Sequence, residues 1–200
     1  MRRVLVTGGA GFIGSHFIRI LLAEEADAQV VNLDVLTYAG NLANLADVAS
    51  SPRYRFVRGD IRDMKVAQEL AADADWIVNF AAESHVDRST KARAGEFIDT
   101  NVYGAYVMLE ATRQVNRGAR FLQVGTDEVY GDVPFPEFPT ERAMLAPSSP
   151  YSAAKAGADH IALAFHRTHQ MDVIVSRCTN NYGPNQYPEK VIPVFVTNAL

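Results

Sequence analysis

From end to end the sequence alternates between short apolar runs of strand character and stretches with helical spacing. The runs are Val4-Leu5-Val6, Val30-Val31-Asn32-Leu33, Tyr54-Arg55-Phe56-Val57, Trp76-Ile77-Val78-Asn79-Phe80, Phe121-Leu122-Gln123-Val124 and Val173-Ile174-Val175. Between them, Phe12 to Glu24 offers Phe12, Ile13, Phe17, Ile20 and Leu21 for one helical face. A long helical segment runs from about Ala94 to Val115, and Ser149-Pro150 opens a further helix with a serine cap and proline at its first position. Strands this continuously apolar are buried on both faces, which is the environment of a parallel sheet built from βαβ crossovers. The expected fold class is α/β, a doubly wound Rossmann-type parallel sheet. The formal charge of −4 gives no reason to expect nucleic acid or an anionic membrane as partner. Cys178 is the single cysteine, which excludes an intrachain disulfide and fits a reducing compartment. No apolar run reaches the roughly 18 residues that span a bilayer. Met1-Arg2-Arg3 leads straight into the first strand without a secretory pattern, so a cytoplasmic location is expected.

Between the first strand and its helix lies Thr7-Gly8-Gly9-Ala10-Gly11-Phe12-Ile13-Gly14. Gly8, Gly11 and Gly14 supply a tight turn, close backbone approach to a pyrophosphate, and close helix–strand packing. The unpaired amides and positive dipole end of the following helix suit the phosphates. Asp34 follows Gly14 by 20 residues, at the end of the second strand. A carboxylate there binds both ribose hydroxyls and repels a 2′-phosphate, which favours NAD over NADP. Asp60 ends the third strand. It either accepts a hydrogen bond from an adenine amino group or caps the helix that starts near Asp63. Ala81 and Ala82, after the fourth strand, are small enough to let the chain pass close to a dinucleotide. His85 is either a substrate contact or a partly buried loop histidine.

The fifth strand runs into Gly125-Thr126-Asp127-Glu128. Two adjacent carboxylates and a hydroxyl at the carboxyl end of a central strand sit where ligands bind in open α/β sheets, although a solvated acidic turn has the same residues. Tyr151 and Lys155 are four apart in the helix opened by Pro150 and share one face. A tyrosine works as a base at neutral pH only if its proton affinity falls by about 3 pH units, roughly 4 kcal/mol of differential stabilisation. A neighbouring ammonium and a positive nicotinamide ring both act in that sense. Cys178 reads as packing rather than nucleophile, and no cluster of His, Cys, Asp or Glu has metal-ligand spacing.

These residues together resemble the extended short-chain dehydrogenase/reductases, and within them the nucleotide-sugar 4,6-dehydratases. The resemblance covers essentially the whole chain. It rests on Thr7 to Gly14, Asp34 to Leu42, Gly59-Asp60-Ile61, Ala81 to Asp87, Thr126 to Gly131, Tyr151 to Lys155 and Arg177 to Pro184. The acidic pair after Thr126 separates these enzymes from the sugar epimerases of the same superfamily. The resemblance implies bound NAD, a nucleoside-diphosphate hexose as substrate, and a lyase reaction without net redox change. In it the Tyr151 phenolate, hydrogen-bonded to Thr126, takes the proton of the sugar C4 hydroxyl as hydride leaves C4. Glu128 then removes the C5 proton, and protonated Asp127 helps the C6 hydroxyl leave as water. Lys155 would also hold the nicotinamide ribose. Phe12, Ile13, Ile61, Ala81, Ala82, Cys178 and Asn180 fall on the cofactor side. Ser84, His85, Asn180, Asn181, Glu189 and Lys190 fall on the substrate side. By the same resemblance residues 1–180 form the NAD-binding Rossmann domain with the catalytic residues, and 181–200 begin a substrate-binding region. Members of the family run well past this point, while the chain stops at Leu200 in a helix expected to begin near Ile192. It is therefore expected to be a piece of a longer protein, with the substrate-binding region largely absent. A homodimer is implied through a four-helix bundle of the 94–115 and 150–168 segments. Val102, Tyr103, Tyr106, Val107 and Leu109 could serve that face or the internal core. The chain departs from the family at Gly125, usually serine, and at Thr179 and Asn185. The loss of the serine would remove a hydroxyl beside the nicotinamide or sugar.

Overall fold

The computed structural model describes residues 2–84, 89–90, 94–134 and 136–200 of the chain. Strands β1 (Arg2–Thr7), β2 (Ala28–Asp34), β3 (Tyr54–Arg58), β4 (Trp76–Asn79), β5 (Arg120–Thr126) and β6 (Val173–Cys178) form one sheet in the order β3-β2-β1-β4-β5-β6. Every neighbouring pair is parallel. The strand order reverses between β1 and β4, so a crevice opens beyond the carboxyl ends of the strands at that point. The doubly wound Rossmann-type sheet expected from the sequence is present.

Among the described residues α1 (Phe12–Glu24), α2 (Met64–Ala71), α3 (Ala94–Phe97), α4 (Ala105–Val115) and α5 (Pro150–His169) lie between strands, and α6 (Val191–Ala199) follows β6. Strand side chains alternate between two cores. Leu5, Ile77 and Phe121 pack with Leu70, Met108, Leu109 and Ala162 of α2, α4 and α5. Val4, Val6, Val30 and Val78 pack on the opposite face with Ile18, Leu21 and Leu22 of α1. Cover on both faces holds at the centre of the sheet but not at β6, where Ile174 is 47% exposed. Helix α6 buries none of its residues.

Three local readings need correction. Helix α1 has the expected bounds, but its buried face is Gly14, Ser15, Ile18, Leu21 and Leu22. Ile13 and Ile20 point outward. The helix is seated by a backbone contact at Gly14 and not by its count of apolar residues. Secondly, the 94–115 segment is interrupted. Ile98–Gly104 is π-helical, between α3 and α4. Such wide turns often mark functional sites, and this one presents Asn101 to the segment leaving β4. Asn101 Oδ1 accepts from the Glu83 amide at 2.8 Å, and its Nδ2 donates to the Glu83 carbonyl at 3.0 Å. Thirdly, α2 is capped by Asp63, which accepts from the amides of Lys65 and Val66, so Asp60 is not the cap. Of the residues open to a subunit face or the core, Val107 and Leu109 are fully buried, whereas Tyr103 and Tyr106 face outward. At α5 the expected cap is a reciprocal box between Ser149 and Ser152, with Pro150 in the first turn.

A polar chain crosses the middle of the sheet. The Thr7 hydroxyl donates to Asn79 Oδ1 at 2.5 Å, and Asn79 Nδ2 donates to Gln123 Oε1 at 2.8 Å. All three residues are buried. The Ala81 amide donates back to Thr7 Oγ1 at 3.2 Å, so the same chain sets where the backbone leaves β4. Replacing the middle member leaves a donor and an acceptor unpaired. Asn79→Leu is expected to lower stability by about 2–4 kcal/mol, read as a lower urea midpoint. A loss below about 1 kcal/mol would show that water or repacking satisfies Thr7 and Gln123.

Candidate active site

The turn after β1 is built from backbone in contact with backbone. Gly8 has φ +67°, and a Cβ there would lie 2.7 Å from the Ala81 nitrogen. A Cβ at Gly14 would land on the Gly8 carbonyl oxygen. The Gly8 amide donates to Leu33 O at 2.9 Å, and the Gly8 carbonyl accepts from Gly11 at 3.2 Å. No side chain caps α1 at Gly11, which leaves the first amides of the helix to whatever occupies the crevice. Asp34, buried at the end of β2, accepts from the Ala10 amide through Oδ2 at 2.9 Å and from the Leu36 amide through Oδ1 at 2.8 Å. Its carboxylate therefore orders the glycine turn as well as facing the cleft.

A cleft of about 950 Å³ runs from this turn across the carboxyl ends of the strands to residues 179–192. Of the residues singled out in the sequence, Gly8, Gly11, Phe12, Ile13, Gly14, Asp34, Asp60, Ile61, Ala81, Ala82 and Ser84 line it on the first side. Thr126, Glu128, Tyr151, Lys155, Cys178, Asn180, Asn181, Glu189 and Lys190 line it on the other. Asp127 is not among the lining residues, and His85 lies outside the described residues. Residues not singled out also line the wall, among them Tyr38, Arg62, Glu96 and Thr100. Arg62 carried a usable signal, a cation two positions after Asp60. It grips that carboxylate through Nε and Nη2, at 3.0 and 2.6 Å to Oδ2. Burial works against the Asp60 carboxylate, but the hydrogen bonds and charge of Arg62 outweigh it and hold Asp60 below the usual range. Glu96 and Thr100 are one turn apart in a segment whose π-helical winding no periodicity shows. Among the described residues no group of His, Cys, Asp and Glu could hold a metal ion.

The far wall is set by the end of β5 and the start of α5. Thr126 Oγ1 accepts from the Glu128 amide at 3.3 Å, donates to Asp127 Oδ1 at 3.3 Å, and is hydrogen-bonded to the Tyr151 phenol. Cys178 lies opposite Thr126 in the β5–β6 register, its thiol on the Gly125 carbonyl at 3.6 Å. The Phe97 ring stands edge-on to Tyr151 at 6.2 Å. Lys155 is 5% exposed, and its ammonium donates to the Val124 carbonyl at 2.6 Å. Lys155 is not among the groups that set the proton affinity of the Tyr151 phenol. Burial pushes the phenol up, and the negative charge of Glu128 pushes it further, against the weaker opposite effect of Thr126. Burial also lowers the proton affinity of Lys155, opposed first by Asp159. The departure at Gly125 reads differently as well. A Cβ at this position would lie 2.5 Å from Ser176 O and 3.0 Å from Asp159 Oδ1, so a serine there would meet β6 and α5.

The family model for GDP-mannose 4,6 dehydratase matches residues 5–200 of the chain. A dTDP-glucose 4,6-dehydratase of Streptomyces niveus is 53% identical over 99% of the chain and 59% of its own length. The crystal structure of a dTDP-glucose 4,6-dehydratase from Streptomyces venezuelae, with NAD bound, is 54% identical with a TM-score of 0.94, over 98% of this chain and 62% of that one. A UDP-glucuronic acid 4-epimerase from Bacillus cereus reaches a TM-score of 0.90 at 26% identity, over 98% and 62% of the two chains. The chain thus spans about 60% of the length of the relatives it matches.

In the ligand-free chain the Tyr151 phenol is expected to keep its proton beyond pH 10, the ordinary tyrosine value. The check is alkaline difference absorbance of the wild type against Tyr151→Phe. The two curves should coincide up to pH 10, and a missing ionisation step in the variant below that pH would reverse the sign of the electrostatics around Tyr151.

Proposed function

The chain belongs to the nucleotide-sugar 4,6-dehydratases grouped with GDP-mannose 4,6 dehydratase, and we propose from this that it is the NAD-binding and catalytic part of an enzyme converting a nucleoside-diphosphate hexose to its 4-keto-6-deoxy product. The observation that carries the proposal is that Thr126, Glu128 and Tyr151 share one cleft with the glycine turn. The relatives named dTDP-glucose 4,6-dehydratase support dTDP-glucose as the sugar nucleotide. The turn fits a dinucleotide. Gly8 and Gly14 leave no room for a Cβ, the α1 amides point to the cleft, and Asp34 places a negative charge where a 2′-phosphate would lie. When bound, NAD would take up and return the hydrogen that leaves C4 and arrives at C6.

In this reading residues 1–180 form the cofactor-binding domain and 181–200 begin the substrate-binding region. Gly8, Gly11, Phe12, Ile13 and Gly14 hold the pyrophosphate, Asp34 the adenosine ribose, and Asp60 with Ile61 the adenine. Ala81 and Ala82 let the backbone pass close to the dinucleotide, and Cys178 and Asn180 border its other end. Ser84, His85, Asn181, Glu189 and Lys190 position the nucleotide sugar. Tyr151, steadied by Thr126, accepts the proton of the C4 hydroxyl. Burial and Glu128 hold the phenol's own proton, so this role depends on positive charge brought in with the oxidised dinucleotide. The 4-keto group acidifies C5, and Glu128 removes that proton. Asp127, one step behind the wall on Thr126, helps the C6 hydroxyl leave as water, which requires its carboxyl to turn into the cleft. Atoms balance as the loss of one water, with no net oxidation. Among the described residues no helix is long and apolar enough to cross a membrane. Work in the cytoplasm as a homodimer, paired through outward residues such as Tyr103 and Tyr106, is part of the same proposal.

The test uses the full protein with dTDP-glucose in D₂O. The product should be one water lighter, carry one solvent deuterium at C5, and form without consumption of added NADH. Glu128→Gln should slow it by about 10²–10⁴-fold. Unchanged turnover in that variant would point to epimerisation or decarboxylation, which need no base at C5. No product from dTDP-, UDP-, GDP- or CDP-hexoses would overturn the proposal.

A further inference from the structure

One turn past Lys155 on α5, Asp159 is fully buried. Its Oδ2 accepts from Arg177 Nε at 2.8 Å, while Oδ1 has no hydrogen-bond partner among the described residues. The two side chains are 0% and 13% exposed. A buried ion pair is seldom more stabilising than apolar side chains of the same volume, and one with a bare oxygen less so. The fold therefore gives no account of this pair, but the site does. Tyr151, Lys155 and Asp159 recur every four residues along one face of α5. Arg177 reaches the opposite way. Its Nη1 donates to the Tyr130 hydroxyl at 3.0 Å and the Glu141 carbonyl at 3.3 Å, with the guanidinium 5.2 Å over the Tyr130 ring. Tyr130 closes the short turn Asp127–Tyr130 that carries Glu128. Gly125, beside Arg177 in the β5–β6 register, makes the space that the carboxylate occupies.

We propose that Asp159 and Arg177 form a positioning pair: the Asp159 carboxylate is the fixed counter-charge of the buried Lys155 ammonium, and Arg177 ties that same anchor to the turn bearing Glu128. Lys155 is faced by Asp159 on its own helix and by Cys178 from β6. Asp159 is faced by Arg177 from β6 and by Lys155 and His160 on α5. The turn after β5 presents Glu128 and Asp127 to Tyr151. The π-helical turn and α4 meet α5 elsewhere, through Val102 at Gly157 and Tyr106 at Phe165.

The pair rests on the proposed reaction only for its rate readout, so its test begins with the lysine itself. Lys155 Nζ is followed by NMR in full protein carrying ¹⁵N-lysine, its signal assigned by its loss in Lys155→Met. Asp159→Asn should lower the pH at which Lys155 titrates by about one unit or more, and Arg177→Gln should not lower it. The double variant Asp159→Leu/Arg177→Met replaces the pair by apolar side chains of similar size. It should fold as stably as the wild type and still show the fall. With dTDP-glucose, Arg177→Gln should lose kcat about tenfold with KM changed less than about threefold. An unchanged Lys155 midpoint in Asp159→Asn and in the double variant, or an equal fall in Arg177→Gln, overturns the proposal. A wild type that turns over no sugar nucleotide would instead defeat the proposed function, and the titration would still decide the pair.

Discussion

At Gly8 four elements come within touching distance of one residue. Its amide is bonded to the end of β2, its carbonyl lies under Gly14 of α1, its missing side chain leaves room for the chain leaving β4, and it follows directly on β1. Any Cβ would force these apart, and the positive φ already excludes most residues. The approach of Gly14 sets α1 on the sheet, which decides that Ile18, Leu21 and Leu22 are buried and Ile20 is not. It leaves the α1 amides at the crevice. It also fixes the Ala81 backbone, which the Thr7–Asn79–Gln123 chain holds from the other side. A dinucleotide cleft is thus a by-product of how β1, β2, β4 and α1 are able to meet.

The charges on the opposite wall work against ionisation of Tyr151. Burial makes the Tyr151 phenol hold its proton, and the negative charge of Glu128 strengthens that hold. Lys155 is spent on the Val124 carbonyl, and burial presses it toward neutrality. Under the proposed function an oxidised dinucleotide would bring positive charge beside this phenol and favour its ionisation. Asp159 is what keeps Lys155 useful in that scheme, and its own burial raises its proton affinity against the pull of Arg177 and Lys155. Such a chain of counter-charges works only if each member is held rigidly, which suits side chains on α5 and β6 better than side chains on loops.

Much of this was legible in the sequence, and the parts that were not share a cause. The six strands, α1 and the Ser149-Pro150 start of α5 arise from apolar runs and local caps, which are short-range signals. The buried face of α1 was misread because apolar count competes poorly with a backbone contact made by a glycine. The π-helical Ile98–Gly104 leaves the apolar spacing of a long helix intact, so only the fold reveals that Asn101 is turned toward Glu83. Arg62 was within reach of a sequence argument as the neighbour of Asp60. The pairing of Asp159 with Arg177 was not, since 18 residues separate the two charges. Gly125 could be noticed as a departure, but its meaning depends on Ser176 and Asp159, which meet it only in the folded sheet.

The likeness to a sugar epimerase, with a TM-score of 0.90 at 26% identity, shows how little of the chemistry the scaffold decides. In the proposed reaction a hydroxyl is first oxidised to a ketone. The fate of the resulting ketone depends on whether a base stands over the neighbouring carbon. In this chain the base proposed for that step, Glu128, lies on a turn of four residues after β5, too short to hold itself and stabilised from three sides. Thr126 caps the turn from its start, Gly131 closes it with φ +72°, and Arg177 grips Tyr130 from β6. A carboxylate on an unsupported turn would relax toward solvent, where its charge is better satisfied than beside a buried phenol. In the proposed elimination the outside grip on this turn would matter as much as the carboxylate it carries.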